Sequence, residues 1–376
     1  MAKYTRRIKV QRRIKVHRKI TSRPKHTAAS RVARTAADRV HERHRHVHRI
    51  MNSGKGKGVV FITGCGGRLG RVVAARILKE GYVVRGLVQS RHQLTSLPAG
   101  VVPFVGDIKD KELMANACDG ANIVVHLAAI VSEYKSDTKR LISTNVEGTR
   151  SLLDTCERFR IEHFLFSSTV DVYGRYRNGV LTEQSALRPT DKYGYSKMLA
   201  ERVINEYRAS IESTVFRIAT LYGPGFEESF FKVIRLIKEQ KAYIIGNGQN
   251  RLALVHVSDA ADAFGLAVAK RMSKGKTYNL SDGHEYTQQY LYNMVADTLG
   301  VPRPMRRVSP ILVKVLAKSH GIDGDELRFL TSDRALDISL INRELDFSPK
   351  IGIKEGSYDM IRAYLATHRK EATATE

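Results

Sequence analysis

The sequence has no tryptophan and only three cysteines among its 376 residues. Cys65, Cys118 and Cys156 form no C-x-x-C pair and no disulfide framework, so a reducing cytoplasm fits this composition best. Long hydrophobic runs are also missing, because the longest, such as residues 121–131, reach about half the length of a membrane span. We therefore expect no transmembrane segment and interpret these runs as strands that are buried on both faces.

Acidic residues are scarce at the start of the chain. Residues 1–57 carry 19 Lys+Arg against two Asp+Glu, which gives +17 of the formal net charge of +25. This basic arm contains a six-residue repeat over residues 6–20 and six histidines without a fixed ligand framework, so we predict no metal site. We expect a solvated, disordered arm, or an over-long start before Met51. The alternatives are binding to nucleic acid or an anionic membrane surface, and organellar targeting.

A strand, a glycine-rich loop and a helix follow the arm. Apolar residues 59–62 predict a short buried strand, and the spacing of apolar residues from Leu69 onward predicts an amphipathic helix. The loop between them has the spacing G-x-x-G-x-x-G, with glycines at Gly64, Gly67 and Gly70. Such a loop lets backbone N–H groups approach a pyrophosphate, which the helix N-terminus also attracts. The pattern predicts a dinucleotide site.

Residues 191–202, DKYGYSKMLAER, place two tyrosines ahead of one lysine. Residues four apart share a helix face, so Tyr193 presents its phenol beside the ammonium of Lys197, whereas Tyr195 points elsewhere. A phenol with a pKa of about 10 is a poor proton shuttle at neutral pH, and a neighbouring positive charge lowers that pKa. We therefore predict that Tyr193 is the acid/base catalyst and Lys197 its activating cation.

Together, this pair and the G-x-x-G-x-x-G loop resemble the short-chain dehydrogenase/reductase superfamily, and more narrowly its extended branch, the NAD(P)-dependent epimerase/dehydratase family. Further stretches carry the resemblance in the family's order: GDIKD at 106–110, HLAAIV at 126–131, NVEGTRSLLDTC at 145–156, FSSTVDVYG at 166–174, RIATLYGPG at 217–225 and VHVSDAADAF at 255–264. The resemblance implies an α/β fold: a Rossmann-type doubly wound parallel sheet with a smaller C-terminal substrate-binding lobe, preceded by the basic arm.

The implied organisation has three parts. Residues 1–57 form the basic N-terminal arm, 58–366 an extended NAD(P)-binding Rossmann domain, and 367–376 a tail. The substrate lobe is expected mainly from 175–190, 220–255 and 283–366. The resemblance also implies a homodimer, formed through the helices at 137–157 and 193–207.

The resemblance assigns cofactor contacts along this domain. In the family's pattern, Asp107 binds the adenine amine, Ile108 lies against the ring, and Lys197 reaches the ribose hydroxyls. The complete set is Gly64, Gly67, Arg68, Leu69, Gly70, Arg91, Asp107, Ile108, Leu127, Ala128, Ala129, Asn145 and Lys197. The second strand ends in VQSR and lacks the carboxylate that accepts a hydrogen bond from the ribose 2′-hydroxyl of NAD. Arg91 can instead pair with the 2′-phosphate of NADP. NADP is therefore the favoured cofactor, with NAD as the alternative.

The third catalytic residue follows from the resemblance as well. Thr169, four positions before the tyrosine of the VYG corner, is implied to hydrogen-bond the substrate oxygen. The family's sugar 4,6-dehydratases continue with an Asp-Glu pair, but this chain has Val170 and Asp171. The carboxylic acid that elimination of water requires is therefore absent. The reaction that remains is oxidation or reduction at one carbon.

The substrate lobe is expected to bind a small molecule. Arg251 lies close to the position of the arginine that nucleotide-sugar enzymes place on the diphosphate, whereas Thr220 replaces their usual asparagine. We predict a sugar or nucleotide-sugar substrate that contacts Thr169, Thr220 and Arg251. One alternative is an NADP-dependent reductase of the 3β-hydroxysteroid or dihydroflavonol type. A more distant alternative is a non-catalytic NADP-binding regulator whose arm binds nucleic acid.

Overall fold

The computed structural model describes residues 57–131, 137–270, 273–313 and 330–373, and within them strands alternate with helices. The strands are β1 (Val59–Thr63), β2 (Val83–Val88), β3 (Val102–Val105), β4 (Ile123–His126), β5 (His163–Thr169), β6 (Tyr176–Leu181), β7 (Ser213–Ile218), β8 (Thr220–Tyr222), β9 (Ile244–Ile245), β10 (Arg251–Leu252), β11 (Leu254–His256), β12 (Lys276–Leu280), β13 (Tyr286–Thr287), β14 (Arg307–Val308) and β15 (Asp333–Leu336).

The helices are α1 (Arg68–Lys79), α2 (Lys111–Cys118), α3 (Thr138–Ile142), α4 (Gly148–Arg158), α5 (Lys192–Glu206), α6 (Glu227–Lys238), α7 (Val257–Ala269), α8 (Gln288–Leu299), α9 (Ser339–Leu345) and α10 (Ile353–Thr373). Short 3-10 turns follow β2 and β5, at Arg91–Ser96 and Val170–Tyr173, and a π turn joins α3 to α4 at Ser143–Glu147. The predicted basic arm lies outside the described residues, except for Lys57.

One parallel sheet contains seven of these strands, in the order β12-β7-β5-β4-β1-β2-β3. The order reverses direction between β1 and β4, which confirms the predicted Rossmann-type doubly wound parallel sheet. Ligands of such sheets bind in the crevice beyond the carboxyl ends of the strands at this reversal. Here those ends are Thr63 and His126.

The central strand β1 is apolar throughout because helices cover both faces of the sheet. Val60 and Ile62 are buried in the core that includes α1 and α7, whereas Val59 and Phe61 are buried with α2, α4 and α5. Each fully buried side chain of this size contributes about 1.5–3 kcal/mol. The alternation of side chains along a strand therefore anchors β1 to both helical layers.

A third apolar cluster lies in the C-terminal part of the chain. It includes Ile234 of α6, Leu291 of α8 and Ile361 of α10. Short strand pairs accompany it: β8 with β11, β9 with β14, β10 with β13 and β6 with β15. The predicted residue boundaries of the substrate lobe stay a prediction.

Candidate active site

The glycine loop joins β1 to α1 and faces the end of β4. Gly64 has a φ of +69°, and a Cβ there would lie 2.7 Å from the Ala128 nitrogen. At Gly70 a Cβ would lie 2.1 Å from the Gly64 carbonyl oxygen. The packing of the protein itself therefore requires both glycines. Helix α1 begins at Arg68 after Gly67, which has no side chain to cap it, so the first N–H groups of the helix are available to an anion.

The residues predicted to bind the adenosine half lie at the ends of β2 and β3. Arg91 is exposed at the start of the turn after β2. Asp107 is exposed after β3, whereas Ile108 is buried against the start of α4. Arg68 has a partner that sequence analysis did not identify, since its guanidinium carbon lies 5.5 Å from the centre of the Phe226 ring. Arg68 thus joins the glycine loop to the segment before α6.

Buried hydrogen bonds connect the ends of β1 and β4 to the neighbouring π turn and α4. His126 Nδ1 lies 2.7 Å from Thr63 Oγ1, and His126 Nε2 lies 2.9 Å from Thr149 Oγ1. The Thr149 hydroxyl donates to the Asn145 carbonyl at 2.7 Å, so it accepts from Nε2–H, and Nδ1 accepts from the Thr63 hydroxyl. Burial and the nearby Lys197 charge lower the pKa of His126 to about 3, so this imidazole is neutral.

Asn145 lies within the π turn, a feature that is frequent at functional sites. Its Oδ1 accepts from the Ile130 nitrogen at 2.8 Å, and its Nδ2 donates to the Ile130 oxygen and to Ser196 Oγ, both at 3.0 Å. Asn145 therefore ties the segment after β4 to helix α5. The predicted cofactor contacts Leu127, Ala128 and Ala129 lie in that segment and are half-buried.

Helix α5 carries the predicted tyrosine and lysine. Its N-terminus is capped by Asp191, whose carboxylate accepts from the Gly194 nitrogen at 2.7 Å. Tyr193 lies in the first turn and is half-buried, whereas the Tyr195 side chain is 46% exposed. Lys197 follows one turn after Tyr193 and is buried. The two tyrosines therefore occupy different environments.

Lys197 extends beneath the end of the sheet. Its Nζ lies 4.0 Å from the centre of the Phe166 ring of β5, within cation–π distance. Burial lowers the pKa of Lys197 to about 7, and the charge of Glu201 opposes this shift. The ammonium is thus substantially populated at neutral pH, and in these surroundings its charge acts strongly on a neighbouring phenol.

Thr169 ends β5 and is linked to two charged side chains. Its Oγ1 accepts from the Asp171 nitrogen and donates to Asp171 Oδ2, both at 3.2 Å. Asp171 Oδ1 in turn accepts from Arg334 Nη1 at 2.8 Å. Arg334 belongs to β15 and comes from the far end of the chain, so sequence analysis gave no signal for it.

The tyrosine of the VYG corner belongs to the core. Tyr173 is fully buried, donates to Asn279 Oδ1 at 2.6 Å and accepts from Arg217 Nη1 at 2.9 Å. Arg217 also forms a buried ion pair with Glu201 of α5 at 2.8 Å. This network joins β7 to α5 and to the turn after β5, so the tyrosine of the VYG corner supports the fold.

The predicted substrate residues Thr220 and Arg251 lie on two short strands that belong to different strand pairs, β8 with β11 and β10 with β13. Thr220, in β8, is half-buried, and its nitrogen donates to the Ala253 carbonyl at 3.2 Å. Arg251, in β10, pairs with Asp333 of β15 through Nε and Oδ1 at 2.8 Å. Any diphosphate at Arg251 would have to share this guanidinium with the Asp333 carboxylate.

Two further observations concern the described part of the chain. Within it, no three His, Cys, Asp or Glu side chains cluster in a way that could hold a metal ion. Within the same residues, no helix is long and apolar enough to cross a membrane.

Known proteins share this fold and sequence pattern. The UDP-glucose 4-epimerase of Vibrio cholerae is 26% identical over 83% of this chain and 97% of its own length. The 2-alkyl-3-oxoalkanoate reductase of Shewanella oneidensis is 24% identical over 79% of this chain and 84% of its own length. The structure of MoeE5 in complex with UDP-glucose and NAD superimposes with a TM-score of 0.67 at 23% identity, covering 82% of this chain and all of MoeE5.

The profile of the NAD dependent epimerase/dehydratase family matches residues 60–281, which include the glycine loop, the ends of β4 and β5, and helix α5. The chain therefore belongs to the NAD dependent epimerase/dehydratase family.

Proposed function

We propose that this enzyme transfers hydride to or from a secondary alcohol or ketone carbon of a sugar or nucleotide sugar. The observation that carries the proposal is the buried Lys197 one turn from Tyr193, on a helix that begins beside the turn after Thr169. A buried lysine at this position has no structural advantage over an apolar residue. Its presence is explained if it activates the phenol.

The site fits a dinucleotide. Gly64 and Gly70 leave no room for a Cβ, and the uncapped start of α1 offers N–H groups to a pyrophosphate. The residues that would hold the cofactor are those of the glycine loop, with Asp107, Ile108, residues 127–129 and Lys197. When bound, the nicotinamide supplies the hydride acceptor or donor.

The side chains of this chain handle the proton and the oxygen atom. Tyr193 removes the proton from the substrate hydroxyl during oxidation and returns it during reduction. The Lys197 ammonium stabilises the phenolate form. The Thr169 hydroxyl would exchange its hydrogen bond to Asp171 Oδ2 for one to the substrate oxygen. Asp171 is ion-paired with Arg334, so it is poorly suited to act as the base of an elimination. Together with Val170, this disfavours a dehydratase.

One experiment tests the proposal directly. The purified full chain is incubated with NAD or NADP and UDP-glucose, UDP-galactose or UDP-glucuronic acid. The measurements are absorbance at the reduced nicotinamide band and chromatography of the nucleotide sugars. An epimerase converts one sugar into its epimer without net change in cofactor, whereas a dehydrogenase accumulates reduced cofactor. No change in sugar or cofactor with any nucleotide sugar would contradict the proposal.

A second candidate is reduction of a ketone on a non-sugar substrate, as in reductases of the 3β-hydroxysteroid or dihydroflavonol type. It is favoured by Thr220, which replaces the asparagine expected for a sugar nucleotide, and by the similarity to an oxoalkanoate reductase. Such an enzyme consumes reduced cofactor with a 3-oxo acid or a ring ketone and leaves UDP-glucose unchanged.

The favoured cofactor in this proposal is NADP, with NAD as the alternative. The turn after β2 offers the exposed Ser90 and Arg91, and no carboxylate stands there to repel a 2′-phosphate. The solved MoeE5 complex contains NAD, so the proposal of NADP rests only on the residues of the turn after β2 in the present chain.

The remaining parts of the proposal concern the oligomeric state, the cellular localisation and the basic arm. Helices α4 and α5 would pair across a two-fold axis in a homodimer, and the enzyme would act in the cytoplasm. The basic arm would stay solvated or bind nucleic acid or an anionic surface. A non-catalytic regulator is less well supported, because a pure sensor needs neither Tyr193 nor a buried Lys197.

A further inference from the structure

Arg334 is a buried arginine whose charge is only partly used by the protein. Its side chain is 4% exposed, and Nη1 donates to Asp171 Oδ1 at 2.8 Å. Its Nε is buried and has no hydrogen-bond partner among the described residues. An unpaired buried donor of this kind destabilises the protein, so a ligand that accepted a hydrogen bond from it would gain that interaction.

Arg175, which lies directly before β6, carries a second unsatisfied Nε. Its Nε is also buried without a partner among the described residues, and its carbonyl oxygen accepts from the Asp333 nitrogen at 2.8 Å. Tyr176 and Asp333 are paired in register in the parallel ribbon of β6 and β15. Arg175 and Arg334 therefore flank this pair in the sequence, one residue before Tyr176 and one residue after Asp333.

Arg334 joins the ribbon of β6 and β15 to the turn after β5. Its Nη1 donates to Asp171, and the same carboxylate accepts the hydrogen bond of the Thr169 hydroxyl at 3.2 Å. Asp333, the residue before Arg334, pairs instead with Arg251. The two arginines Arg251 and Arg334 therefore serve different anionic groups, and only Arg334 lies beside the residue predicted to hold the reacting oxygen.

We propose that Arg334, assisted by Arg175, binds a carboxylate that the substrate carries close to its reacting carbon. The inference rests on the proposed function and narrows its substrate class to acids. In Arg334, Nη1 donates to Asp171, and the edge of the guanidinium that carries Nε remains unused. A carboxylate can accept two parallel hydrogen bonds from such an edge. Both candidate substrate classes contain such acids, namely hexuronic acid nucleotides and 3-oxo acids.

The test compares ligand pairs that differ only in the carboxylate. Binding to the full chain is measured by calorimetry in the presence of NAD or NADP, with UDP-glucuronic acid against UDP-glucose, and with 3-oxohexanoate against its methyl ester. We expect the acid of one pair to bind at least about tenfold more tightly, the effect of one hydrogen bond to a charged group. In Arg334→Gln that preference should disappear, while affinity for the neutral partner stays within about twofold.

Three variants control for structural damage. Arg334→Lys keeps the positive charge but loses the paired N–H donors of the guanidinium, and it should retain part of the preference for the acid. Arg175→Gln leaves the ion pair of Asp171 intact and should reduce the preference. Arg303→Gln removes an exposed arginine whose ion pair with Asp297 is 2.8 Å long, and it should change nothing. Melting temperatures of all variants show whether each one folds.

The outcomes separate this inference from the proposed function. If UDP-glucose and UDP-glucuronic acid bind equally well, the nucleotide-sugar function stands and the carboxylate site is wrong. If neither nucleotide binds but the 3-oxo acid is preferred over its ester, the carboxylate site stands and the sugar substrate is wrong. The inference also fails if Arg334→Gln weakens both members of a pair equally, because Arg334 is then only structural.

Discussion

The Lys197 ammonium lies 4.0 Å from the centre of the Phe166 ring, so a charged side chain of helix α5 is buried directly against a strand of the central sheet. The aromatic ring stabilises the cation through its π electrons. Unlike a carboxylate, the ring does not neutralise the charge of the lysine. The lysine charge is therefore held in place and still available to the phenol one helical turn away.

Replacing Tyr193 by Phe should reduce turnover by about 10²–10⁴-fold, because general acid/base catalysis contributes about that much. Cofactor affinity should stay nearly unchanged, since only a hydroxyl is lost. The matched control is Tyr195→Phe, which alters a largely exposed ring on the same helix and should be close to neutral. Equal losses in both variants would show that Tyr193 is not the proton shuttle.

Lys197 should give stability a pH dependence that Lys197→Met lacks. Its folded pKa of about 7 lies below its ordinary value of 10.5, so the unfolded chain binds more protons between these values. The contribution of Lys197 to the free energy of unfolding therefore rises as pH increases from 7 to 10.5. Urea unfolding of wild type and Lys197→Met at several pH values measures the difference. The exposed Lys192→Met should follow wild type, and parallel curves for all three proteins would contradict the burial of the charge.

Arg91→Asp should shift cofactor preference from NADP toward NAD. The carboxylate repels a 2′-phosphate and accepts from a free 2′-hydroxyl. The ratio of the two dissociation constants, before and after substitution, is the measurement. A wild-type protein that already prefers NAD would show that the VQSR turn does not select NADP.

His126→Gln should destabilise the fold by about 1–3 kcal/mol, because Thr63 or Thr149 loses a buried partner. The folded pKa of His126 is about 3 against an ordinary 6.5, so the unfolded chain binds the extra proton between these values. The contribution of His126 to the free energy of unfolding consequently falls as pH decreases from 6.5 toward 3, and the variant should lose less stability over that range. The control His284→Gln changes a side chain that is 68% exposed and should match wild type. Identical acid sensitivity in the two variants would rule out a buried neutral His126.

A chain that starts at Met51 should keep the melting temperature and the turnover of the full chain. The strand β1 begins at Val59, and no predicted catalytic, cofactor-binding or substrate-binding residue precedes Gly64. Calorimetry and the cofactor assay compare the two proteins. If the arm binds nucleic acid, only the full chain should do so, with affinity that falls steeply as salt rises. Loss of folding on truncation would mean that residues 32–50 pack on the enzyme.

Local pattern was enough to predict several parts of the site. The glycine loop lies between a buried strand and an amphipathic helix, and the structure shows why Gly64 and Gly70 must be glycine. The spacing of Tyr193 and Lys197 follows from helix geometry, which depends only on neighbouring residues. The exposed Tyr195 was separated from Tyr193 on the same ground.

Other parts of the site could not be read from the sequence. Arg334 and Asp171 are 163 residues apart, and His126 and Thr63 are 63 apart, yet each pair is joined by a direct hydrogen bond. Arg251 was identified, but its pairing with Asp333 was not. Periodicity carries no information about which distant side chains meet, because such contacts depend on how the strands are ordered and which loops cross them.

The sequence by itself thus determined the strand, glycine loop and helix that begin the domain and the placement of Tyr193 and Lys197 one turn apart, since these depend on short-range periodicity and spacing, whereas the parallel sheet was implied by the family resemblance. Only the tertiary structure decided the neutral state of His126, the depressed pKa of Lys197 and the partly unsatisfied Arg334 beside Thr169. Those properties depend on burial and on the charges of residues distant in the chain, which exist only when the sheet has folded.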